Sequence, residues 1–129
     1  MAIFRLGHVE VRTPDLELCA AYYTEVLGLR EVARDEGHVY LKGWDEQDHH
    51  SLMLTGANRY GLEHVAFKTE SIDDLEGYET NLERYGCTVE RIAAGTELGQ
   101  GEAIRFDSPT GHTMEIYAKM EKVGNGLPL

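Results

Sequence analysis

The sequence predicts an α+β domain made of two βαβββ repeats that curve into an incomplete barrel with helices outside. Three observations predict it. Gly7-His8-Val9-Glu10-Val11-Arg12-Thr13 reads alongside Glu63-His64-Val65-Ala66-Phe67-Lys68-Thr69, each alternating apolar and polar side chains as a strand does. Each of these segments is followed by a helix start, a helical apolar period and a glycine stop. Three short alternating runs then close each half. The repeats span about 4–56 and 61–119 within a single domain of 1–119, and 120–129 has the character of a linker.

In the first repeat, Thr13-Pro14-Asp15 offers an N-cap with proline at the first helical position. Leu16, Ala20, Tyr23, Val26 and Leu27 recur at helical spacing, and Gly28 supplies a left-handed stop. Strands are expected over 29–33, 39–43 and 51–55. In the second repeat, Ser71-Ile72-Asp73-Asp74 places an acid three residues after a capping serine, Leu75, Tyr78, Leu82 and Tyr85 form the helical stripe, and Gly86 ends it. Strands follow over 88–93, 103–106 and 114–118. The last two are joined by Asp107-Ser108-Pro109-Thr110-Gly111-His112, a turn sequence rich in fixed and positive φ angles. Two such curved sheets bury their apolar faces by closing on each other, leaving a concave interior for a ligand.

Composition narrows the partners. Apolar residues make up 42% and charged residues 27% of the chain, as in ordinary globular domains, and the formal net charge is -11. Such a charge repels nucleic-acid phosphates and anionic membranes, so neither is an expected partner. No signal-peptide pattern and no run of transmembrane length are seen, and the two cysteines, Cys19 in a helix and Cys87 at a strand start, imply no disulfide framework. A cytoplasmic location fits. Strand edges are compatible with a homo-oligomer, although no single residue demands one.

His8 and His64 fall at the same phase of the two first strands, so equivalent positions direct them alike. Glu115, among apolar neighbours in Thr113-Met114-Glu115-Ile116-Tyr117, is costly to bury unless paired or bound to a metal. Two imidazoles and a carboxylate make the facial triad that ferrous iron uses. The plain alternative is three ordinary strand side chains. Met53 stands where the first repeat would offer an equivalent of Glu115, so a fourth ligand is missing. His49 and His50 follow the acidic stretch Asp45-Glu46-Gln47-Asp48 and read as a solvated turn or as site residues. Trp44 and Tyr60 line an aromatic pocket or serve packing, and His112 is an exposed turn residue.

Leu6-Gly7-His8-Val9, YTEVLGL (23–29), Val39-Tyr40-Leu41-Lys42 and DSPTGHTMEIY (107–117) occur in an order and spacing that resemble the vicinal-oxygen-chelate superfamily, whose fold is that of glyoxalases, bleomycin-resistance proteins and extradiol dioxygenases. Within it the chain resembles the N-terminal domain of an extradiol catechol 2,3-dioxygenase. The resemblance implies Fe(II) as cofactor, a catechol-type substrate and dioxygen as partners, and a muconic semialdehyde as product. It implies a scaffold role for this domain, with the working iron in a C-terminal catalytic domain missing from this chain. His50 matches the family's acid-base histidine. Arg105 stands where the family's catalytic domain has a substrate-orienting tyrosine, and the segment from Ala93 to Gly101 lacks that domain's histidine. Three readings remain: the structural domain of a dioxygenase, a stand-alone metalloenzyme using His8, His64 and Glu115, and a metal-free module that binds a small ligand.

Overall fold

The computed structural model describes residues 1–124. Its elements run β1 (Ile3–Thr13), α1 (Leu16–Ala21), a π-helical turn (Tyr22–Val26), β2 (Arg30–Asp35), β3 (His38–Lys42), β4 (Leu52–Gly56), β5 (Gly61–Thr69), α2 (Asp74–Tyr85), β6 (Glu90–Ile92), β7 (Ala103–Asp107) and β8 (Thr113–Tyr117). This is the strand, helix, strand, strand, strand order expected twice over.

The chain divides into two compact units: Met1–Gly7 with His64–Glu121, and His8–Glu63 with residues 122–124. The first seven residues therefore fold with the second repeat. In the unit holding the first repeat, the strand order is β2-β3-β4-β1, with β1 parallel to β4 and the other neighbours antiparallel. In the other, β5-β8-β7-β6 repeats the pattern, with β5 parallel to β8. Strand for strand, β4 corresponds to β8 and β3 to β7.

Each unit places its helix on one sheet face. Ala20 of α1 packs with Val39, Leu41 and Leu54, and Leu16, Cys19 and Tyr23 pack against that cluster. Leu75 of α2 packs with Ile104 and Ile116, flanked by Tyr78, Leu82 and Phe106. Because side chains alternate along a strand, the residues between these apolar ones point to the opposite face. On β5 the buried positions are His64, Ala66, Lys68 and Thr69, and on β1 they are His8, Glu10 and Thr13. Up to the strand ends, burial thus falls on the phase of the two histidines. Burying polar groups is unfavourable unless they find partners, which makes these faces the places to look for a site.

The helix ends follow local chemistry. Asp15, not Thr13, caps α1, its carboxylate accepting from the Leu18 N–H, so Pro14 precedes the cap instead of opening the helix. After Ala21 the backbone widens to π geometry, with the Leu27 N–H reaching the Tyr22 carbonyl. Gly28 and Gly86 take φ of 78° and 104° where the two stops were expected, a conformation that costs glycine no Cβ clash. The α2 helix begins at Asp74, whose carboxylate accepts from the Ser71 N–H, and the Asp73 N–H donates to Ser71 Oγ.

Gly7 is needed for another reason. A Cβ there would lie 2.1 Å from Tyr117 Oη, so the strand passes this buried tyrosine only without a side chain. Cys19 and Cys87 are free thiols, and Cys87 lies in the loop before β6, not at a strand start. The expected tail begins with paired residues: Met120 bridges to Gln100 and Lys122 to Asp48. The remainder of it, 125–129, lies outside the described residues. No helix among the described residues is long and apolar enough to cross a membrane.

Candidate functional site

In the unit that holds the second repeat, β5, β8 and β7 lie side by side, and their shared registers decide which side chains meet. Ala66 on β5 pairs with Glu115 on β8, and Arg105 on β7 pairs with the same Glu115 from the other side. Paired positions share a face, so His64, Glu115 and Arg105 all lie opposite α2. Glu115 is fully buried. Its Oε2 stands 3.3 Å from His64 Nε2 and accepts from two nitrogens of Arg105, with Nε at 2.8 Å and Nη2 also in contact. Its Oε1 accepts from Gln100 Nε2 at 3.2 Å.

Glu97 joins from the loop between β6 and β7, its Oε1 3.6 Å from His64 Nε2. That loop is closed on itself, the Gly95 N–H donating to the Gln100 carbonyl and the Gln100 N–H to that of Glu97. It returns Glu97 and Gln100 to the face on which His64 lies. Sequence reasoning missed both residues, because a loop has no periodicity to report which way a side chain points. His64, Glu97 and Glu115 each bring a ligand atom within 4.8 Å of one another, and all three are buried. One imidazole and two carboxylates are the donors that divalent first-row metals take.

Whether the group fits such a metal as it stands turns on Arg105. The guanidinium engages the Glu115 oxygen nearest His64 through two nitrogens, and Gln100 donates to the other, so Arg105 already holds the side of Glu115 that a cation shared with His64 would need. A charge-assisted pair of this kind supplies the positive charge that an ion would otherwise bring. The group as folded does not fit a resident metal, although its donor set is of the right type.

The unit that holds the first repeat keeps the strand histidine, His8, but differs at the places of Arg105 and Glu115. Tyr40 and Met53 pair across β3 and β4, where the other unit has Arg105 and Glu115. His8 is buried on β1, its ring 5.0 Å from that of His50. Tyr40 meets His50 edge-on at 4.9 Å and His49 at 5.6 Å, and His49 Nδ1 lies 2.8 Å from His50 Nδ1. His49 and His50 are buried, so they are not part of a solvated turn. The loop leading to them is knitted by Glu46, whose carboxylate accepts from the Gly43 N–H and Ser51 Oγ, and by Lys42 Nζ donating to the Glu46 carbonyl. Trp44 and Tyr60 are exposed, and His112 is exposed as expected. His64 thus stands beside Glu115, and His8 beside His50.

Residues 62–121 match the family described as catechol 2,3-dioxygenase-like N-terminal domain. The 2,3-dioxygenase LapB from Pseudomonas sp. KL28 superposes with a TM-score of 0.94 at 42% identity, over 98% of this chain and 44% of that one. The chain is a homologue of the extradiol dioxygenases. Metapyrocatechase from Pseudomonas sp. (strain CF600) is 42% identical over 95% of this chain and 40% of its own length. A manganese-dependent 2,3-dihydroxybiphenyl 1,2-dioxygenase from Geobacillus genomosp. 3 is 38% identical over 93% of this chain and 38% of its own. This extradiol dioxygenase homologue thus spans about two fifths of the length of the relatives it matches, and corresponds to their N-terminal part.

Proposed function

We propose that this chain serves as the N-terminal, non-catalytic domain of an iron-dependent extradiol catechol 2,3-dioxygenase, which opens a catechol ring beside its diol to give a muconic semialdehyde. The observation that carries the reading is the ion pair of Glu115 with Arg105. A domain homologous over nearly its whole length to ring-cleaving enzymes has the carboxylate of its histidine–glutamate group committed to a fixed internal cation. Iron bound elsewhere in such a protein would supply binding and activation of the diol and of dioxygen. This domain's part is to fold stably beside that centre, through the α1 and α2 clusters.

A second reading is favoured by the buried donors themselves: a stand-alone metalloenzyme in which His8, His64 and Glu115 serve as ligands and His50 handles the catechol proton, as an imidazole titrating near neutrality can. The two part on one experiment. The 129-residue chain is reconstituted anaerobically with Fe(II) and assayed with catechol for the coloured semialdehyde. It is assayed both alone and joined to the rest of the Pseudomonas metapyrocatechase in place of that enzyme's own first part. Turnover only in the chimera is the expected result. Turnover by the chain alone, lost in His64→Ala and in His8→Ala, establishes the second reading in its place.

A further inference from the structure

Glu115 and Arg105 sit at a place where the two repeats differ in kind. The corresponding residues of the other unit, Met53 and Tyr40, carry no formal charge, so the fold does not require an ion pair there. In the second repeat the carboxylate is fully buried, and the guanidinium that neutralises it enters from the neighbouring strand with about a third of its side chain exposed. An arginine cannot give up its proton at any pH a protein survives, so the charge it brings is permanent. Around the same carboxylate stand His64, Glu97 and Gln100, the last with its buried Oε1 receiving no hydrogen bond. Two carboxylates, an imidazole and a spare amide oxygen carry more acceptors than one guanidinium satisfies, and they match the donor set of a divalent ion.

We propose that Arg105 occupies the place of a metal: it locks a latent divalent-cation site formed by His64, Glu97 and Glu115, and removing its guanidinium opens that site. The ions it would take are the borderline first-row metals, Mn(II) through Zn(II), which accept mixed nitrogen and oxygen donors. The inference does not depend on whether the complete protein cleaves catechols, since it concerns only how this group meets a cation.

Co(II) is the probe, because its visible absorption reports the ligands directly. The full chain is titrated with Co(II) as wild type, Arg105→Met and Arg105→Met/His64→Ala. Arg105→Met is expected to bind one ion per chain at least tenfold more tightly than wild type and to develop a ligand-field spectrum that the added His64→Ala change abolishes. Equal affinity and equal spectra in wild type and Arg105→Met overturn the lock. A folded Arg105→Met chain that binds no Co(II) overturns the latent site. Where Arg105→Met is unfolded without metal, recovery of the native circular dichroism on adding Co(II) supports the proposal, and failure to recover it counts against the site.

Discussion

Arg105 and Glu115 face each other directly across β7 and β8, and the arginine donates two hydrogen bonds to one oxygen of a carboxylate that no water reaches. Breaking one partner of a buried pair strands a charge, which costs roughly 3–5 kcal/mol, while replacing both by apolar residues is often neutral. Arg105→Ala should fall toward the lower end of that range, since its own side chain is partly exposed. Arg105→Met/Glu115→Met should recover most of the loss. Urea midpoints of the three proteins check this, and a double variant no better than the single one would show that the pair itself holds the unit together.

Gly7 tests how closely the strand passes Tyr117. A methyl group there meets Tyr117 Oη and the adjoining ring carbons, at 2.1 and 2.6 Å from the ideal Cβ. Gly7→Ala is expected to cost about 1–3 kcal/mol by overpacking. Because the two residues touch, the cost should shrink in a Tyr117→Phe background, where one of the clashing atoms is gone. Thermal melts of the four combinations measure the coupling. Additive losses would place the strain elsewhere.

Asp15 caps α1 through its Oδ1 at 3.1 Å from the Leu18 nitrogen. Asp15→Ala should cost about 1 kcal/mol and Asp15→Asn much less, since asparagine can accept the same bond. If Asp15→Ala melts at the wild-type temperature, the short helix is held by its packing on Leu41 and Leu54 alone.

Glu31 and Arg34 give the surface a small pH dependence. The bidentate hydrogen bond from Arg34 holds the Glu31 carboxyl below its ordinary value against the opposing effect of burial, and Glu17 contacts the same guanidinium. A carboxylate with a lowered folded pKa contributes stability above its unfolded pKa and loses it as pH falls through the folded value. The pair is near the surface, so the contribution is small and is screened by salt. The difference in melting temperature between wild type and Glu31→Gln should be present at pH 7, close as pH falls below the ordinary carboxylate range, and shrink in 1 M salt. A gap that widens in acid would reverse the assignment.

The strand phases of His64 and Glu115 were legible in the sequence because a period of two fixes which face each residue takes once the strand is recognised. Both helix stops were legible from glycines with no other reason to be there. Arg105 stood out as a departure from a resemblance, yet its partner could not be read, because the register of β7 against β8 depends on the backbone path through Asp107 to His112. The π-helical turn was hidden for a related reason. Tyr22, Tyr23 and Val26 keep an apolar spacing that suits an ordinary helix, and the extra residue per turn is a matter of backbone width that side-chain pattern does not record. Ile3 to Leu6 of β1 were not legible as strand, because all four are exposed and carry no alternation of burial.

During synthesis Met1–Gly7 leave the ribosome well before the residues with which they fold, His64–Glu121. This segment must therefore wait through the whole of the first repeat before its own unit can close, a long-range contact of the sort that slows folding. Over that interval Ile3, Phe4 and Leu6 travel as an unpaired apolar strand, and nascent-chain arrest at increasing lengths should find them accessible to protease until β8 has emerged.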